Sequence, residues 1–323
     1  ATSVALSGAT GDVNHRLNAG DTLSATLTFN DAVTLNTTAG SPSLSLLIGS
    51  STVQAAYVSG SGTNALLFTT TIVNGQTDTD GVAIALNPLN LNGATLKDSA
   101  GNTSVNSLSA VLSNSNYLVD TTAPTVGITS NLPALKAGDS ATITFTFSED
   151  PDTSFAWDGA LGDVVITGGT LGAISGTGLT RSATFTPTAN LASTTASISV
   201  VNNSYQDAAG NNGSAGSLTT LSIDTLAPSL TSIAVTSATG AVASPSDATV
   251  KLLNTADTLS ASVIFTEAVT LVTSAGSPTL ALVIGNSTVL ATYVSGSGTN
   301  TLLFSTTIVS GQTDSDGVAI ALN

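Results

Sequence analysis

The stretch "ATITFTFSED", residues 141–150, sets Ala141, Ile143, Phe145 and Phe147 against Thr142, Thr144 and Thr146, then turns abruptly acidic. Alternation of apolar and hydroxyl residues marks a strand with one buried face, because successive side chains of an extended chain point to opposite sides. The same period runs through "TLSATLTF" (22–29), with Leu23, Ala25, Leu27 and Phe29 in phase. It recurs in "LLFTTTIV" (66–73), with Leu66, Phe68, Thr70 and Ile72 in phase. "NG", "DG" and "AGD" turn signals separate the runs, and no segment carries a sustained helical stripe. About seven short strands per ~100 residues predict an all-β chain of immunoglobulin-like Greek-key β-sandwiches.

The chain also repeats itself. Asp21–Asn87 and Asp257–Asn323 align at an offset of 236 without a gap and differ at 17 of 67 positions. "TSVALSGATG" (2–11) likewise matches "TSIAVTSATG" (231–240). "DTTAP" (120–124) and "DTLAP" (224–228) lie 104 residues apart, and each ends a strand at a proline that cannot continue a ladder. The predicted organisation is three tandem modules arranged end to end: 1–120 (module A), 121–224 (module B, unlike A) and 225–323, a second copy of A. That copy has no counterpart of residues 88–120, so it is expected to be truncated, and the absence of any methionine suggests an internal or processed segment.

Composition narrows the function. Hydrophobic residues make up 41%, enough for real cores, while charged residues make up only 8%. Twenty acids against five bases leave a net charge of −15, which disfavours nucleic acid and anionic membranes as partners and favours cations. The absence of cysteine removes disulfides, zinc–thiolate sites and cysteine nucleophiles. No apolar run is long enough to span a membrane.

Greek-key topology places the acids. In module B, strands are expected near "TVGIT", "ATITFTF", "SATFTP", "ASISVV" and "LTTLSID". The loop after the second strand, "SEDPD" (148–152), and the loop before the last, "DAAGN" (207–211), then share the end at which Asp120 enters. Module A brings "GQTDTDG" to the same junction. Asp78, Asp80, Asp120, Glu149, Asp150 and Asp207 are therefore candidate ligands there, with Asp139, Asp224 and Glu267 at the following junction. Crowded carboxylates repel unless a cation sits among them, and Ca²⁺, which takes six to eight oxygens in flexible geometry, fits such a set. The competing explanation for each single Asp is turn chemistry, since its side chain bonds nearby backbone amides.

"DTTAP", "SED", "DAAGN" and "SIDTLAP" resemble motifs of the immunoglobulin-like extender repeats of giant bacterial surface adhesins, of the repeats-in-toxin and biofilm-associated types. The resemblance implies extracellular display, often by type I secretion, and a calcium-stiffened spacer that serves adhesion or biofilm formation. It also implies that Asp120, Asp224, Glu149 and Asp207 are calcium ligands. Module A departs from the pattern, with "FNDAV" where module B has "FSEDP", so that Asp31 stands for the glutamate.

No catalytic constellation is visible. The one histidine, His15, lies in "NHRL" and has no counterpart in the second copy, and no serine has a base at motif spacing. Two alternatives to a spacer remain: a subunit of an extracellular filament, sheath or surface layer, pairing like chains through weakly charged edge strands, and a carbohydrate-binding module centred on Trp157. The expected partners are neighbouring repeats of the same chain.

Overall fold

A computed structural model describes residues 1–104 and 107–321. Among them there is no α-helix, and no helix long and apolar enough to cross a membrane. Two compact units divide between Thr225 and Leu226. Three separate hydrophobic cores form, two in residues 1–225 and one in 226–323.

The first core belongs to strands β1 (Ser3–Thr10), β2 (Arg16–Leu17), β3 (Thr22–Asn36), β4 (Ser43–Ile48), β5 (Ser51–Ser59), β6 (Thr63–Thr71), β7 (Thr77–Asp78), β8 (Ala83–Asn90), β9 (Thr95–Asp98) and β10 (Leu118–Asp120). The main sheet runs β1-β3-β6-β5-β4-β8, with β9 on the far half of β3, and a small sheet runs β2-β10-β7. Leu23, Ala25, Leu27 and Phe29 of β3 point inward together with Leu66 and Phe68 of β6, as their period requires.

Module B is a two-sheet sandwich. Its strands are β11 (Val126–Ser130), β12 (Ala134–Lys136), β13 (Ala141–Phe147), β14 (Val164–Thr167), β15 (Gly169–Leu171), β16 (Thr180–Pro187), β17 (Thr194–Val200) and β18 (Gly216–Asp224). One sheet is β11-β13-β16-β15 and the other β12-β18-β17-β14. The first strand thus switches sheets half-way, as in immunoglobulin-like domains. Ala141, Ile143, Phe145 and Phe147 face the core, where Phe147, Phe155 and Tyr205 meet edge to face.

The second unit contains β19 (Leu230–Thr239), β20 (Val242–Ala243), β21 (Lys251–Leu252), β22 (Thr258–Val269), β23 (Thr279–Ile284), β24 (Ser287–Ser295), β25 (Thr299–Thr307) and β26 (Ala319–Ile320). Its sheet order, β19-β22-β25-β24-β23-β26, repeats the main sheet of module A strand for strand.

Candidate metal site

Strand β10 carries the chain out of module A and ends at Asp120. It lies between β2, which it pairs in parallel (Leu118 with Arg16, Val119 with Leu17), and β7, which it pairs antiparallel (Val119 with Asp78, Asp120 with Thr77). Strand β13 ends in the loop holding Glu149, and the loop between β17 and β18 holds Asp207. One carboxylate oxygen from each of Asp120, Glu149 and Asp207 lies within 4.8 Å of the others. Among the described residues this is the one group of three metal-type ligands so placed.

The loops that carry these acids are locally built. Asp207 Oδ1 accepts the amides of Ala209 (2.8 Å) and Asn211 (2.9 Å), while Oδ2 accepts Asn211 Nδ2 (2.8 Å). The turn explanation and the cluster therefore coexist in one side chain. Asn211 Nδ2 also donates to the carbonyl of Asp120 (2.9 Å), and Asn18 of module A donates to the carbonyl of Ala209 (2.9 Å). Glu149 is pushed above the ordinary glutamate value, first by burial and then by the negative charges of Asp120 and Asp207. Arg16 opposes the shift. An oxygen-only donor set of three acids suits a hard divalent cation.

Three of the six residues expected at this junction do not join the group. Asp150, one step past Glu149, turns the other way and pairs with the buried Arg181 at 3.1 Å. Arg181 also donates to the carbonyl of Asp152, so it fastens the loop that presents Glu149. Asp78 is only 4% exposed and accepts the amides of Gly49 and Gly81, both at 2.7 Å. Asp80 accepts the hydroxyl of Ser113 on the surface. In the other predicted group, Asp139 is held by Lys136 at 2.9 Å. Asp224 and Glu267 each have one oxygen sealed from solvent without a hydrogen-bond partner. Asp98, in "DSAGN", repeats the turn of Asp207 by accepting the amides of Ala100 and Asn102.

Sequence reading missed the residues that fasten the linker. Thr121 is buried; its hydroxyl donates to the carbonyl of Gln76 and accepts the amide of Gly75, both at 2.9 Å. Thr225 makes the same clamp on Thr188 and Leu191. Tyr205 is buried in module B and donates to the carbonyl of Pro124 (3.1 Å) or Ser214 (3.0 Å), and burial pushes its hydroxyl up to about 12, so it remains a donor. The recurring Thr of "DTTAP" and "DTLAP" was the available signal. His15 contributes its carbonyl to Leu118, and Trp157 lies half in the core with Nε1 bonded to Leu171 O.

Residues 120–223 match the family model described as Bacterial Ig-like domain. A solved structure similar to the chain is the crystal structure of the I9-I11 tandem from titin, at 9% identity and a TM-score of 0.29, over 96% of this chain and 91% of that one. No curated protein matches the chain.

Proposed function

We propose that this chain is a non-catalytic spacer in an extracellular bacterial surface protein of the adhesin type, and that Ca²⁺ stiffens its first linker. The observation that carries the reading is the convergence of Asp120, Glu149 and Asp207 where module A hands over to module B. Asp120 closes the small sheet of module A, whereas Glu149 and Asp207 sit on two separate loops of module B. A cation held by all three would tie the two modules together and offset both the burial and the neighbouring negative charges that raise Glu149. Immunoglobulin-like beads joined by short linkers suit a spacer, because each bead needs only its neighbours and length scales with copy number.

A ligand that binds only the folded state stabilises it by about 2.7 kcal/mol at a hundredfold excess over Kd. For a unit of this size that corresponds to roughly 5–10 °C in melting temperature. Calorimetry of the 323-residue chain in Ca²⁺ and in chelator tests this. Glu149→Gln is expected to remove most of the calcium increment without lowering the melting temperature in chelator. Equal melting of the wild-type chain in calcium and in chelator overturns the calcium reading.

A further inference from the structure

We propose that modules A and B dock on each other directly, without a cation, through a contact in which Asn18 of module A grips the loop tip Ala209–Gly210 of module B. The proposal shares its location with the calcium reading and does not rest on it.

The loop tip is built to be received. Asp207 Oδ1 holds the amides of Ala209 and Asn211, and the carbonyl of Asp207 accepts the amide of Gly210 at 3.2 Å. The amides from Ala209 to Asn211 are thus used inside the loop, while the carbonyl of Ala209 goes to Asn18 Nδ2 of module A at 2.9 Å. Ala209 is 0% exposed although it belongs to none of the three hydrophobic cores, and Ala208 beside it is exposed. A loop tip normally lies in water, so a buried alanine there needs a neighbouring surface to cover it. A Cβ placed on Gly210 would lie 3.2 Å from Asn18 Nδ2 and 3.5 Å from Val13 Cγ2, both in module A. Glycine, at a φ of +83°, therefore both makes the turn and lets module A approach.

The receiving surface is fixed from within module A. Val13 and Arg16 exchange both backbone hydrogen bonds, with Asn14 and His15 left-handed between them, as a tight two-residue hairpin requires. The carbonyl of His15 accepts the amide of Leu118, which ties this hairpin to the exit strand β10. Asp21 Oδ2 accepts the amide of Asn18 at 2.8 Å, and the amide of Asp21 donates to the carbonyl of Asn18 at 3.2 Å. With its backbone held on both sides, Asn18 loses little freedom when its side chain docks. Module B returns a bond, since Asn211 Nδ2 donates to the carbonyl of Asp120 at 2.9 Å. Two side-chain amides, one from each module, thus bridge the junction, and neither bond needs a metal.

The residue at this place follows module type. "LNAGD" (17–21) stands as "LNTAD" (253–257) in the second copy of A and as "LKAGD" (135–139) in module B. Asn254 keeps the bond to its aspartate, its amide donating to Asp257 Oδ2 at 2.7 Å. Lys136 instead turns its ammonium onto Asp139 at 2.9 Å. The asparagine therefore marks the lower end of an A-type module as the surface that takes a B-type loop tip.

The chain has no cysteine, so nitroxide labels go on Ala56→Cys in β5 and Thr195→Cys in β17, both exposed, in the 323-residue chain. Double electron–electron resonance in chelator then reads the separation of modules A and B, across a urea series that stops short of unfolding either module. One narrow distance is expected without urea. Asn18→Ala should lower the docked-to-undocked ratio about fivefold, the loss expected for one hydrogen bond. Asn18→Asp, which turns an acceptor onto the carbonyl of Ala209, should undock the modules at least as far. Fluorescence of Trp157, the sole tryptophan, and hydrogen exchange in β3 check that both modules stay folded. A broad distance in the labelled chain without urea, or a ratio unchanged by Asn18→Ala or Asn18→Asp, overturns the proposal. Every arm is run in chelator, so failure of the calcium reading leaves these outcomes as they are.

Discussion

The two copies of the repeat share fifty of the 67 aligned residues between Asp21 and Asn87 and between Asp257 and Asn323, yet they bury them differently. Leu44, Val82 and Ile84 are fully buried in the first copy, whereas Leu280, Val318 and Ile320 are half-buried in the second. The strands between differ little: β4, β5 and β6 pair as β23, β24 and β25 do. In module A, Ala94, Leu96, Leu108 and Val119, all downstream of the shared segment, complete the core. The two copies thus share their meander and loop geometry, and the difference in burial falls at the inner face that Ala94, Leu96, Leu108 and Val119 pack against in module A. Burial here is a property of the whole module and cannot be assigned residue by residue.

The largest expected effect breaks the comparison at its deepest point. Ile84→Ala deletes a side chain with 0% exposure and should cost module A about 2–5 kcal/mol, the range for truncating a fully buried isoleucine. Ile320→Ala removes the same atoms from a half-solvated site and should cost less than half as much. Urea unfolding followed by peptide-resolved hydrogen exchange reads the two regions separately. Equal losses would mean that the burial contrast has no energetic counterpart.

Asp78 and Asp314 give the next largest contrast. Asp78→Ala strands the buried amides of Gly49 and Gly81, so a loss of about 3 kcal/mol is expected. Asp314→Ala should shift the unfolding midpoint less, since water reaches the amides of Gly285 and Gly317. Asp314 is held below its ordinary value of 3.8, first by the amide of Gly285. Its folded pKa being depressed, its contribution is present above pH 3.8 and lost as the pH falls below that. Asp314→Asn should remove that part of the acid sensitivity of residues 226–323, as monitored by exchange between pH 5 and pH 2, about one to two units either side of the carboxylate range.

Much of this was legible in the sequence, for reasons particular to each place. Phe145 and Leu27 declared their faces because period-two alternation is set by the backbone itself. The motifs and the Greek-key order together placed Asp120, Glu149 and Asp207 at one end. What could not be read was which of two adjacent acids would turn inward. Asp150 leaves the group because Arg181, opposite Phe145 in the β13–β16 ladder, holds it, and a register 36 residues long in sequence is invisible locally. Asp78 was expected among the junction ligands because β10, which pairs beside it, arrives some 40 residues later and its buried bonds to Gly49 and Gly81 could not be read locally. Thr121 was passed over for the same reason, its partners lying 45 and 46 residues back. The contrast between the copies had no signature within the aligned segment, since the covering residues lie outside it.

Thr121→Val probes the cover itself. It keeps volume but deprives Gln76 and Gly75 of their partner, and about 1–2 kcal/mol should be lost. If the cover is what separates the copies, exchange at 75–82 should move toward that of 311–318. Stability lost without such movement would show that Thr121 acts on the linker alone.

The smallest expected effect is the one that keeps the comparison honest, because it lies where the copies agree. Tyr57 packs edge-on to Phe68 at 5.8 Å and accepts the amide of Ser61 at 2.9 Å. Tyr293 packs on Phe304 at 5.9 Å and accepts the amide of Ser297 at 2.8 Å. Both tyrosines are half-buried, and in both the phenol oxygen fastens a "GSG" turn. Tyr57→Phe and Tyr293→Phe each remove one acceptor at a solvent-accessible turn, so each should cost about 0.5–1 kcal/mol and by the same amount. Region-resolved exchange at Ser61 and Ser297 measures this directly. A larger cost in the second copy would mean that the open face has loosened the meander as well, so that the uncovered core and the strands that frame it are one cooperative unit.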